Sequence, residues 1–142
     1  MIQEEKDLVL RDLCGRLPYG VIVSPIDCGK AKLIGFKDDH PILFNLVSQK
    51  EYDKPWEIEY IKPYLRPMSS MTEGEKREIY DWLVENDVDW FDFSKLRLDE
   101  ILISFDSSWL LINWLNAHYF DYRGLIPKGL AISTEVFNPY KD

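Results

Sequence analysis

The sequence predicts an α+β protein: an N-terminal helix, a small antiparallel sheet or SH3-like partial barrel, then a helical C-terminal lobe. Three observations carry this. Apolar residues recur at helical spacing near the N-terminus, they then fall into four short strand-like runs, and helical spacing returns after a threonine cap. The 142 residues suit a single domain (1–142), with residues 1–66 forming the helix and β lobe and residues 67–142 a mixed, mainly helical lobe.

Residues 3–16 place Val9, Leu10, Leu13, Cys14 and Leu17 at a spacing that gives one apolar helix face. Glu4 and Glu5 suit the positive end of the helix dipole, and Pro18 ends the helix. Four candidate strands follow: GVIVS (20–24), AKLIGF (31–36), ILFNLV (42–47) and WEIEYI (56–61). The last alternates, with Trp56, Ile58 and Tyr60 on one face and Glu57 and Glu59 on the other. The links PIDCGK, KDDHP and SQKEYDKP have turn composition. KPYLRPMSSM then reads as a crossing segment, because Pro63 and Pro67 oppose regular pairing.

Thr72 and Glu75 form a T-x-x-E capping box that opens a helix over residues 73–85, with Ile79, Tyr80, Trp82 and Leu83 on its apolar side. VDWFDF and LRLDEILISF are short apolar pieces, strand or irregular. A second helix is expected from an Asp106/Ser107 cap through Trp109, Leu110, Ile112, Trp114 and Leu115 to about His118. GLAIS is a candidate final strand.

Composition narrows the function classes. The net charge is −8, and its excess is concentrated: residues 73–106 hold 4 basic and 11 acidic groups. A field of that sign opposes phosphate backbones, so nucleic acid is an unlikely partner and a basic protein the expected one. The N-terminus MIQEEKDL lacks the basic and apolar regions of a signal peptide, and WLLINWLNA is too short to span a bilayer. The expected location is the cytoplasm, with no membrane association. Cys14 and Cys28 lack CxxC spacing and read as reduced thiols, Cys14 as buried filler.

Motifs that would carry chemistry fail one by one. SPIDCGKA lacks the first glycine and the Ser or Thr of a phosphate loop, and a strand follows it. NDVDWFD has its third aspartate one residue late for an EF-hand loop and no central glycine. No zinc spacing, GxSxG elbow or HExxH helix occurs, so no metal or cofactor is expected.

One stretch remains: HYFDYR (118–123). His118 and Asp121 would share a face if the helix continued, and His–Asp is a general-base pair. A structural reading also explains each residue. His118 and Arg123 suit a helix C-terminus, Asp121 can bond turn backbone or Arg123, Gly124 can supply a left-handed cap, and the rings pack on the sheet. A third reading makes it an interface, since aromatic residues with arginine are the usual anchors. The partner-binding candidates are therefore His118, Asp121, Tyr122 and Arg123, together with Glu78 and Asp81 on the outer side of the acidic helix. No residue is nominated as catalytic.

KPYLRPMSSMTEGEK (62–76) and WLNAHYFDYRGLIPKGLA (114–131) resemble segments of a family of short proteins encoded on phage-like or mobile elements of gut anaerobic bacteria. They span about a quarter of the chain. The resemblance implies an accessory phage or bacterial protein, which makes a basic host or phage protein the expected partner, and attaches no activity, cofactor or catalytic residue to it. The expectation is a non-enzymatic interaction or regulatory protein. The alternatives are a nucleic-acid-binding β lobe, using Trp56, Tyr60 or Phe44 with Lys30, Lys32 and Lys37, and a small-molecule enzyme whose site is assembled only in space.

Overall fold

The computed structural model describes residues 1–26, 29–85 and 108–141. Helix α1 spans Gln3–Arg16, as its periodicity predicts, and the Glu5 carboxylate accepts a hydrogen bond from the Ile2 N–H at 3.1 Å. Its buried side chains are Val9, Asp12, Leu13 and Arg16. The expectation that Cys14 is buried filler is wrong, because Cys14 is exposed. The helix is turned so that Asp12 and Arg16, one turn apart, neutralise each other inside, and this rotates Cys14 outward. Pro18 then lies in a 3₁₀ turn, Leu17–Tyr19, that closes on Gly20.

A six-stranded sheet follows in the order β4-β3-β2-β1-β5-β6. Its strands are β1 (Ile22–Pro25), β2 (Ala31–Lys37), β3 (His40–Asn45), β4 (Lys50–Glu51), β5 (Ile61–Leu65) and β6 (Ile132–Ser133). All neighbours are antiparallel except β5 and β6. The β2–β3 hairpin turns on Asp38 and Asp39, whose φ values of 50° and 64° are those a two-residue turn of matching twist needs.

Two expectations for this region are corrected. WEIEYI is not a strand: Trp56 donates its N–H to the Pro41 carbonyl, and Ile58–Tyr60 form a 3₁₀ turn. Trp56 and Ile58 pack on the core, so their alternation reflects burial beside the sheet edge rather than pairing within it. The strand is instead the segment containing Pro63. Ile26 N–H bonds the Tyr60 carbonyl, and the register runs Pro25↔Ile61, Ser24↔Lys62, Val23↔Pro63. Hydrogen-bonded pairs therefore fall at Ile26–Tyr60 and Ser24–Lys62. Both prolines take the intervening positions, where the ring nitrogen points out of the β1–β5 seam. On the other side, β6 begins pairing only at Tyr64.

The next pair in that alternation is Ile22 with Tyr64, and here a side chain is inserted. The Tyr140 hydroxyl accepts from Ile22 N–H at 3.0 Å and donates to the Tyr64 carbonyl at 2.9 Å. Burial pushes this hydroxyl far above the usual tyrosine range, which keeps its proton in place for donation.

Two apolar clusters support these elements. One joins Val9 and Leu13 of α1 to Val21, Val23, Leu33, Leu43, Ile61 and Leu65, and is closed by Leu125 and Leu130. The other comprises Met71, Ile79, Leu111, Trp114, Leu115 and Phe120. It lies between helix α2 (Glu73–Glu85) and helix α3 (Ser108–Ala117). The predicted capping box opens α2: Glu75 N–H bonds Thr72 Oγ1 at 3.1 Å and Thr72 N–H bonds Glu75 Oε1 at 3.0 Å. Among the described residues, no helix is long and apolar enough to cross a membrane. Cys28, the NDVDWFD turn, VDWFDF, LRLDEILISF and the Asp106/Ser107 cap lie outside the described residues.

Candidate functional site

The HYFDYR stretch begins where α3 ends. Phe120 N–H bonds the Leu115 carbonyl and Tyr119 N–H the Asn116 carbonyl, a Schellman closure. The left-handed residue in it is Tyr119, at φ 64°, and not Gly124. A tyrosine there costs about 1–2 kcal/mol of backbone strain. Its side chain offsets that cost: the hydroxyl donates to the Tyr19 carbonyl and the ring stacks on Tyr140 with centroids 3.8 Å apart. This close stack ties the end of α3 to both the 3₁₀ turn after α1 and the C-terminal segment.

His118 and Asp121 do not form the acid–base pair that their spacing allows. The His118 ring stacks on Trp114 at 3.9 Å, and its Nδ1 lies 2.9 Å from the Trp114 carbonyl. That contact makes Nδ1 the protonated nitrogen. Asp121 is only 6% exposed, and its two oxygens accept from the N–H groups of Leu125 (2.8 Å) and Ile126 (2.9 Å). The carboxylate thus holds the loop that delivers Leu125 and Leu130 to the first apolar cluster.

Tyr122 and Arg123 join a buried polar group that the sequence did not suggest. Arg16 and Asp12 are both fully buried and form a two-bonded ion pair, at 2.8 and 3.0 Å. Arg16 Nη2 also donates to the Phe120 carbonyl at 2.6 Å. The guanidinium groups of Arg16 and Arg123 lie over the Tyr122 ring, 5.3 and 4.8 Å from its centroid, and Arg123 Nε is 3.7 Å from Asp12. The Tyr122 hydroxyl donates to Asn116 Oδ1 at 2.9 Å, and burial raises its pKa first of all. A Cβ on Gly15 would sit 3.1 Å from the Asn116 side-chain amide, so a larger residue there would have to displace that amide by a few tenths of an ångström.

Arg66 completes the arrangement. Its backbone bridges to Phe120, donating to the Tyr119 carbonyl and accepting from Asp121 N–H. Its guanidinium covers the Phe120 ring at 4.0 Å and grips Glu75 with two bonds of 2.6 and 2.7 Å. The Glu75 carboxyl is thereby lowered to about 2, chiefly by the Arg66 hydrogen bonds, against the opposing effect of burial. The two segments 62–76 and 114–131 therefore meet at Arg66 on Phe120, beside the apolar contacts of Met71 and Leu65.

Glu78 and Asp81 lie elsewhere, exposed on α2. With Gly74, Arg77 and Trp82 they line a shallow open groove of about 370 Å³. Cys14 offers no activated thiol: partial burial and then the Asp39 carboxylate push its pKa up. Among the described residues, no group of three or more His, Cys, Asp or Glu side chains is placed to hold a metal ion.

The sequence reading missed Asp12, Arg16 and Arg66, each of which looks like an ordinary helix or loop charge. The signal available for the first two was their four-residue spacing across an otherwise apolar face. No family model, curated protein or solved structure matches this chain.

Proposed function

We propose that the chain is a non-enzymatic interaction protein, an accessory of a phage or mobile element, that meets a basic partner through α2. The observation that carries this is an exposed surface on that helix: Glu78 and Asp81, with Arg77, line an open groove together with the half-buried Trp82. Carboxylates around an aromatic side chain suit a partner presenting lysine or arginine beside an apolar residue. The residues best equipped for acid–base work support the same reading, since His118 and Asp121 are engaged in holding α3 and the following loop. We further read the β lobe as an SH3-like partial barrel. Its support is the β1–β4 meander, the 3₁₀ turn and the return of β5 antiparallel to β1.

The test is capture of basic proteins on immobilised chain at two salt concentrations, with Glu78→Lys/Asp81→Lys as the comparison. Both side chains are exposed, so circular dichroism should be unchanged. The proposal expects a partner whose association rate falls about tenfold in the double variant and also falls with salt, because exposed charges are screened within about 8 Å. Binding indifferent to both would overturn it.

A further inference from the structure

The sheet has a second face, turned away from α1, whose chemistry is opposite to that of α2. Strand alternation sends Val23, Leu33, Leu43 and Ile61 into the core, and so puts Lys32 and Lys62 on the outside; Lys30, the residue before β2, is half-buried with its ammonium over the Phe137 ring. Lys62 pairs across with Ser24, and Lys32 with Ile22, so Lys62 on β5 and Lys32 on β2 stand with only β1 between. None of them has a carboxylate partner among the described residues. Glu57 and Glu59, which are nearby in sequence, are already paired with His40 and Lys6. Lys32 runs its side chain over Gly20, where a Cβ would lie 2.9 Å from Lys32 Cε.

Two exposed rings accompany these ammonium groups. Tyr60, the last residue of the 3₁₀ turn and two residues before Lys62, is 47% exposed. Phe137 is also 47% exposed, packs edge-on against Tyr64 and lies 5.4 Å beneath Lys30 Nζ.

We propose that this outer face binds single-stranded nucleic acid, with Lys30, Lys32 and Lys62 on the phosphates and Tyr60 and Phe137 beneath bases. Charge complementarity selects a polyanion, and the rings select one with flat apolar faces to stack. A duplex presents phosphates but hides its base faces, so it gains nothing from Tyr60 or Phe137. The overall charge of −8 does not prevent this, because at physiological salt the field of distant carboxylates is screened beyond about 8 Å. The surface is distinct from α2, and the inference stands or falls separately from the reading given to that helix.

Fluorescence anisotropy with labelled oligothymidylate tests it. The intact chain should bind, with log K falling against log salt at a slope of about −2, as three phosphate contacts on a single strand require. Lys30→Gln/Lys32→Gln/Lys62→Gln should lose at least about tenfold and flatten that slope. Tyr60→Ala should lose about tenfold with the slope kept, since stacking releases no counterions. Duplex of the same length should bind at least about tenfold more weakly, and Glu78→Lys/Asp81→Lys should not weaken binding. No binding at low salt, binding indifferent to the lysine variant, or equal affinity for duplex or polyglutamate would each overturn the proposal. All substituted residues lie on the surface, and matched thermal unfolding curves would show that the variants fold.

Discussion

Replacing Glu75 with glutamine isolates the charge that locks Arg66 onto Phe120. Glutamine at this helix position still accepts from Thr72 N–H, so the capping box survives and only the ion pair is lost. The pair is shielded enough for its pKa to report on stability, with side chains 23% and 18% exposed. The carboxyl falls from 4.5 to about 2. At about 1.4 kcal/mol per unit, with some discount for the remaining solvent contact, this corresponds to about 2–3 kcal/mol. The sign follows from the direction. A carboxyl with a lowered folded pKa stabilises fully above its unfolded value of about 4.5, and that stability is lost as pH falls toward about 2. Urea unfolding at a series of pH values should therefore find Glu75→Gln less stable by about 2–3 kcal/mol near neutrality. The gap should close between about pH 5 and pH 2. Other carboxylates titrate in both proteins and cancel in the difference. A gap that stays constant across this range would refute the reasoning, because it would mean that the loss came from packing rather than charge.

Further outcomes follow from the other buried contacts. Asp12→Ala leaves the Arg16 guanidinium buried without its carboxylate and should cost about 3–5 kcal/mol, whereas Asp12→Leu/Arg16→Met should recover much of that loss in chemical denaturation. Tyr140→Phe removes the hydroxyl between β1 and β5 and should cost about 1–3 kcal/mol, with faster hydrogen exchange at the Ile22 amide. His118→Gln should shift the thermal midpoint little, because the ring's hydrogen bond is local to its own helix and glutamine retains a donor.

Much of the fold is legible where local chemistry decides it. The α1 boundaries follow from its periodicity, flanking carboxylates and Pro18, and the α2 start follows from Thr72 and Glu75. The β2–β3 hairpin follows from two aspartates between apolar runs. What stays hidden depends on register. Pro63 reads as a breaker until the alternation of β1–β5 pairs shows its nitrogen pointing out of that seam. WEIEYI alternates as a strand does, yet Trp56 and Ile58 face a core beside the sheet while Tyr60 is exposed. Asp12 and Arg16 have the spacing of a surface pair, and the approach of α3 and of residues 120–123 buries them. For the candidate site, the structural reading of Asp121 as a turn-backbone acceptor was accessible. Gly124 reads as the left-handed cap because nothing local marks Tyr119, whose compensating partners, Tyr19 and Tyr140, are distant in sequence.

The measurement that bears most directly on the account is hydrogen exchange, with urea unfolding, on Asp121→Ala. If HYFDYR serves the fold, the variant should lose about 2–4 kcal/mol, since two buried N–H groups lose a charged acceptor. The greatest loss of exchange protection should then fall at Leu125 and Ile126. Unchanged stability and protection at these two amides would contradict the account and return the stretch to the candidates for a binding or catalytic site.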